Sequence, residues 1–371
     1  MAPHLDSPPP VGSFSNGVQR TSSRPDTPDF TQGVSLPSLS QSLETLSMKD
    51  DFHLKRPLVP GVYVPTLVFF DEETEDLDTS AIAHHAVQLA RAGVTGLATQ
   101  GSNGEAVHLT HVERQLVTFT TRKALNEAGF SHMPIIVGCG SQSTRETIEY
   151  CREARKAGGD YALVLPPSYY AGMFTPASGT IIDYFTEVAD ASPIPLIIYN
   201  YPAAVNGGDL SSTVVSKLAQ HANIAGVKLT CGNTGKLNRV ATAARKMTKN
   251  YDHDKPKFLV LAGSADFAMQ SLVAGGHGMI AGLANVVPKA CVKIIELYRA
   301  GRLDEAMKLQ DLVSLGDWAA IQGGVVGVKA GLQAFKGYGG YARRPLPRPT
   351  PEQTKQMVDG FKDLLIVEQR L

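Results

Sequence analysis

The chain has 371 residues, with 35 Lys or Arg set against 35 Asp or Glu, so its formal net charge is zero. A neutral chain without single-sign blocks offers no electrostatic footprint for nucleic acid or for an anionic membrane surface. Hydrophobic residues make up 43%, enough for a packed core, and no apolar run approaches the length of a membrane-spanning helix, about 18 residues.

Residues 1–55 carry ten Ser and seven Pro without a sustained apolar period. Such a segment cannot bury enough surface to offset chain entropy, which predicts a disordered leader with a short amphipathic turn over Leu43 to Met48. Its start has no secretory pattern. Arg20 and Arg24 among serines lean toward a mitochondrial presequence, but Asp6, Asp26 and Asp29 run against one, because presequences avoid acids. The predicted location is therefore the cytosol. Cys139, Cys151, Cys231 and Cys291 are scattered without a CxxC pair and read as small buried residues in a reducing compartment.

From Gly61 onward, strand-like apolar runs alternate with amphipathic helical runs. The strands are predicted at 62–69, 94–99, 134–138, 161–165, 194–199, 224–228, 258–262 and 278–282. Helices are predicted between them at 79–92, 110–128, 143–157, 176–190, 210–221, 234–248 and 265–275, with another at 288–300. The strands are short, continuous and rich in Val, Ile and Leu, which suits burial on both faces of a parallel sheet. Eight such units predict an α/β fold, a (β/α)8 TIM barrel over 56–302, with a doubly wound open sheet as the structural alternative. The segment 303–371 reads as a C-terminal extension of three helices with a Gly-rich and Pro-rich break at 337–349, packed against the barrel.

Catalytic groups of such barrels sit at the C-terminal ends of strands. Lys228 closes an apolar strand there. An amine held in a barrel mouth can act as a nucleophile toward carbonyls, whereas a snorkelling or ion-paired lysine is the ordinary alternative. Tyr199 ends the preceding strand, where a phenol could relay protons, or could simply be a half-buried aromatic. Gly101-Ser-Asn-Gly-Glu105 follows the second strand, and its glycines would let donors converge on a carboxylate, or make an ordinary strand-to-helix turn. An amine, a proton relay and a carboxylate cradle are together what a 2-oxo acid needs when it is activated as an imine.

Gly101-Ser-Asn-Gly-Glu105, Tyr199-Asn-Tyr-Pro202, Gly226-Val-Lys228 and Gly276-His-Gly-Met-Ile280 with Asn285-Val resemble the successive signatures of the dihydrodipicolinate synthase / N-acetylneuraminate lyase family. These are pyruvate-dependent class I aldolases on a (β/α)8 barrel. The resemblance spans about Gly61 to Pro345 and leaves the leader outside. It implies that Lys228 is the Schiff-base lysine and Tyr199 the proton-relay tyrosine. Ser102 and Asn103 match the pair, usually Thr-Thr, that holds the pyruvyl carboxylate, and Ile280 matches a residue whose backbone carbonyl faces the substrate. Tyr169 and Tyr170 resemble the paired tyrosines near a subunit contact, one of which extends the relay into a neighbouring subunit. The resemblance thus implies a homo-oligomer, a dimer or tetramer. Gly263 and Ser264 lie after the seventh strand, where substrate hydroxyls could be bound.

Departures from the family pattern bear on the substrate. Dihydrodipicolinate synthases place an Arg shortly after the relay tyrosine to pair with a second carboxylate. Here that stretch is Pro202-Ala-Ala-Val-Asn206, and a carboxylate there would forgo about 1.5–3 kcal/mol of charge-assisted hydrogen bonding. Thr230 and Asn233, together with Asn103, suit a polyhydroxylated chain instead. The expected reaction is cleavage of a 2-keto-3-deoxy sugar acid, 2-keto-3-deoxy-L-galactonate in first place, to pyruvate and glyceraldehyde. The alternatives are cleavage of 4-hydroxy-2-oxoglutarate to pyruvate and glyoxylate, a synthase-like condensation, and a non-catalytic pyruvate-binding scaffold. No cofactor or metal is expected, because the imine does the work of a Lewis acid and His84, His85, His108 and His111 lack converging acid partners. Gly232-Asn-Thr-Gly-Lys236 lacks the phosphate-loop spacing and reads as a helix start.

Overall fold

Eight short parallel strands close on themselves in chain order: β1 Gly61–Pro65, β2 Gly96–Thr99, β3 Ile135–Gly138, β4 Tyr161–Val164, β5 Leu196–Asn200, β6 Ile224–Leu229, β7 Leu259–Ala262 and β8 Gly278–Ile280. This computed structural model describes residues 56–174, 179–248 and 251–371. The leader and the turn at Leu43 to Met48 lie outside the described residues. The closed (β/α)8 barrel is the architecture the sequence predicts.

Period-two alternation explains the closure. Tyr63, Ala98, Ile136, Leu163, Ile197, Tyr199, Leu259, Leu261 and Ile280 point inward and form one buried cluster. Their neighbours, such as Val64, Leu97, Val137, Val164, Ile198, Val227 and Val260, face outward into a second cluster shared with the helices. These helices are α1 Thr79–Arg91, α2 His111–Glu127, α3 Thr144–Lys156, α4 Gly179–Ala191, α5 Ser212–Leu218, α6 Thr234–Met247, α7 Ala268–Val273 and α8 Pro288–Arg299. Side chains of Asp78, Thr110, Ser143, Ser211 and Asn233 accept backbone N–H groups at the starts of five of them, satisfying donors a helix leaves open. The opposite end of the barrel is sealed by residues 56–60. There Asp160 pairs with Arg56 at 3.1 Å and Arg122 at 2.7 Å, while the Tyr161 hydroxyl donates to the Arg56 carbonyl.

The structure departs from the sequence expectation at two places. The first strand, predicted to reach Phe69, leaves the ladder after Pro65. Leu67 N–H donates to Asn285 Oδ1, and Phe69 lies edge-on to His85 and Tyr338 at 5.3 and 5.6 Å. Phe69 thus meets the C-terminal extension, and its carbonyl accepts Asp78 N–H at 2.9 Å beside an antiparallel bridge between Phe70 and Leu77, so the chain turns out of the barrel ladder. That extension has the three expected helices, α9 Leu303–Lys336, α10 Pro351–Asp359 and α11 Lys362–Arg370. However, α9 is also broken at Gly324 (φ 55°, ψ −153°), a backbone state that glycine adopts at little cost. From α11, Glu368 accepts the N–H groups of Lys289 and Ala290 at the start of α8, locking the extension to the barrel. No helix among the described residues is long and apolar enough to cross a membrane.

Candidate active site

Barrel geometry sets the centre of the site. Tyr199 and Lys228 are register partners across β5 and β6, and Lys228 in turn partners Leu261 on β7. Both are inward positions near the C-terminal strand ends, each 4% exposed. The Lys228 ammonium nitrogen lies 4.1 Å from the centroid of the Tyr199 ring, within cation–π range. Tyr201 stacks on Tyr199 with centroids 5.7 Å apart and 19° between planes. Burial pushes the Tyr201 phenol upward, with Tyr199 adding to the effect. Between the two tyrosines, the outward-facing Asn200 donates to Asp209 and accepts Leu210 N–H, anchoring the loop after β5.

Thr230 follows β6 two residues beyond Lys228. Its hydroxyl oxygen is buried and has no hydrogen-bond partner among the described residues. A Cβ on Gly263 would fall 1.9 Å from that oxygen, so only glycine allows the two loops to approach this closely. Next to Gly263, the Ser264 hydroxyl donates to Asp317 on α9. Burial pushes the Asp317 carboxyl up to about 6, with neighbouring Asp266 adding to the rise and three accepted hydrogen bonds opposing it, so the group carries its charge above about pH 6.

Ser102 and Asn103 lie on the turn after β2. The Asn103 side-chain nitrogen rests against Gly282, where a Cβ would lie 2.5 Å away, so this turn meets the loop that follows Ile280 at the end of β8. The turn is closed by Glu105 N–H to Ser102 O at 3.2 Å and Ala106 N–H to Gly101 O at 3.3 Å. Gln100 and Glu105 flank it with φ of 49° and 47°, a left-handed backbone held by what surrounds them. Glu105 pairs with Lys329 of α9 at 2.6 Å, both side chains being 1% exposed.

Lys228, Tyr199, Thr230, Gly263 and Ser264 thus occupy three consecutive strand ends, while the turn bearing Asn103 and the exposed Ser102 meets, through Asn103, the loop that follows Ile280. Tyr169 and Tyr170 are 78% and 61% exposed and pack edge-to-face on each other. Lys329 and Asp317 were missed by sequence reasoning. The signal was available: on α9 the buried positions Gln310, Val313, Asp317 and Ala320 follow a helical period, and a charge on such a face calls for a partner.

The profile of the dihydrodipicolinate synthetase family matches residues 59–364. An Emericella nidulans protein named as a mitochondrial 4-hydroxy-2-oxoglutarate aldolase is 52% identical over 316 residues, covering 85% of this chain and 98% of that protein. An L-threo-3-deoxy-hexylosonate aldolase of Aspergillus niger is 48% identical over 328 residues, with coverage of 85% and 98%. The crystal structure of a dihydrodipicolinate synthase family protein from Coccidioides immitis superposes with a TM-score of 0.74 at 34% identity, covering 85% of this chain and 99% of that one. The mitochondrial name of the Emericella relative overturns the cytosolic expectation. Asp6, Asp26 and Asp29, the acids that run against a presequence, and Arg20, Arg24 and the serines that favour one all lie outside the described residues. With a match over most of its length and relatives near half identity, the chain belongs to the dihydrodipicolinate synthetase family.

Proposed function

We propose that this aldolase cleaves 2-keto-3-deoxy-L-galactonate to pyruvate and glyceraldehyde through an imine on Lys228. Lys228 adds to the C2 carbonyl while Ser102 and Asn103 hold the carboxylate, and Tyr199 protonates the departing hydroxyl to release water. The resulting iminium accepts the electron pair of the C3–C4 bond as a proton leaves the C4 hydroxyl toward Tyr199. Glyceraldehyde departs; the enamine is protonated at C3, and water hydrolyses the imine to pyruvate and the free amine.

The observation that carries the sugar-acid reading is the Thr230 hydroxyl, buried and unpartnered beside Gly263. A buried hydroxyl without a partner costs about 1–3 kcal/mol, and a substrate hydroxyl would supply that partner. The name of the Emericella relative favours a second reading, cleavage of 4-hydroxy-2-oxoglutarate. Against it, the turn Pro202–Ala204 after β5 holds no basic residue. Nearby Lys236 is already paired with Asp209. The same missing cation disfavours a synthase-like condensation.

Pyruvate release, coupled to lactate dehydrogenase, tests both readings. The sugar acid is expected to be cleaved with kcat/KM about tenfold or more above that of 4-hydroxy-2-oxoglutarate. The opposite order would overturn the main reading, and no pyruvate from either would leave a pyruvate-binding scaffold. A homo-oligomer is supported by Tyr169 and Tyr170, exposed at the mouth-side loop after β4 and able to meet a second copy. Sedimentation should show more than one copy per particle, with dissociation in the Tyr169→Ala, Tyr170→Ala double variant. A fully active single-copy particle would refute the assembly.

A further inference from the structure

The long C-terminal helix reaches the barrel mouth through one buried carboxylate. Asp317 is 2% exposed, and its three hydrogen bonds converge on a single oxygen, Oδ2. They come from the Ser264 hydroxyl and from the backbone N–H groups of Ala265 at 2.7 Å and Asp266 at 2.9 Å. Gln310, earlier on the same helix, holds this loop independently. Its Nε2 donates to the carbonyls of Ala265 at 2.9 Å and Asp266 at 3.1 Å, and its Oε1 accepts Met269 N–H at 2.9 Å.

A hydroxyl has one proton. Because Ser264 gives its proton to Asp317, the Oγ atom has only lone pairs left to offer. Such an atom accepts from a substrate hydroxyl but has nothing to give a substrate carboxylate. The Asp317 carboxylate behind it adds a negative charge in low dielectric, which repels a second anion. The Thr230 hydroxyl, packed on the adjoining Gly263 and without a partner, remains free to donate or accept.

We propose that Asp317 is a specificity-determining positioning residue: by fixing Ser264 as an acceptor and placing a charge behind it, it selects 2-oxo acids with a hydroxylated distal end over those with a carboxylated one. This rests on the aldolase reading above.

Asp317→Asn keeps the shape and an acceptor oxygen, removes the charge, and brings an amide that can donate to Ser264. The ratio of kcat/KM for the sugar acid over that for 4-hydroxy-2-oxoglutarate is expected to fall about ten- to hundredfold. The change should lie mainly in KM: upward for the hydroxylated substrate, downward for the carboxylated one. Ser264→Ala removes the acceptor without touching the carboxylate, and should lower the same ratio through the hydroxylated substrate alone. If Asp317→Asn does not fold, Ser264→Ala carries the test by itself. An unchanged ratio in Ser264→Ala, or in a folded Asp317→Asn, overturns the inference. Wild-type protein that cleaves neither substrate defeats the aldolase reading instead, so the two failures are distinguishable.

Discussion

Sodium borohydride added with pyruvate is expected to leave a carboxyethyl group on Lys228 and to abolish activity. The described residues contain three buried lysines. Lys236 is paired with Asp209 and Lys329 with Glu105, so each of these amines is already occupied by a carboxylate. Lys228 has no ion-pair partner among the described residues and faces the Tyr199 ring at the mouth of the barrel. An imine requires an amine that no carboxylate occupies and that faces the barrel mouth, which singles out Lys228 on geometry. Lys228→Met retains the unbranched chain in the barrel and should show no turnover and no trapped adduct. Tyr199→Phe retains the ring under the amine while losing the hydroxyl, so kcat should fall about 10²–10⁴-fold, the scale of a lost acid–base group. Peptide mapping that finds the reduced adduct on another lysine would sink the assignment, as would full activity in Lys228→Met.

The barrel was legible because each strand is buried on both faces, so the pattern of Val, Ile and Leu carries its own boundaries. Lys228 and Tyr199 were legible for a related reason. A polar side chain at the end of such a run cannot be explained by packing, and barrel architecture puts strand ends at the site. Leu67 and Phe69 misled because apolarity alone does not distinguish a strand from a loop covered by another part of the chain. For Asp317 and Lys329 the burial was legible and the partners were not. Their partners, Ser264 and Glu105, lie 53 and 224 residues away. Helical period can show that a charge is buried, but only the folded chain shows what it answers. The two charges sit on either side of the break at Gly324, so one helix serves both the loop after β7 and the turn after β2.

Lys329→Met should be the most damaging single substitution outside the barrel, destabilising the fold by about 3–5 kcal/mol, because it strips the buried Glu105 carboxylate of its ammonium partner. Burial pushes the Lys329 ammonium down, and Glu105 opposes that shift. Lys329 also donates to the Tyr341 carbonyl at 2.9 Å, while Glu105 accepts Arg343 N–H at 2.8 Å and contacts His108 Nδ1 at 3.1 Å. Glu105 itself holds a left-handed backbone at φ 47°, a conformation that costs about 1–3 kcal/mol unless its surroundings enforce it. Without the lysine, the turn bearing Ser102 and Asn103 is free to relax toward ordinary backbone angles, and the pyruvate KM for trapping at Lys228 should rise along with the loss of stability. The Glu105→Gln, Lys329→Met double variant removes both charges and should be less destabilised than the sum of the single changes, by coupling of about 0.5–3 kcal/mol. Urea midpoints of the four proteins measure that coupling. A Lys329→Met protein that unfolds at the wild-type urea concentration and is trapped by pyruvate at the wild-type KM would show that this pair neither holds the extension nor shapes the carboxylate turn.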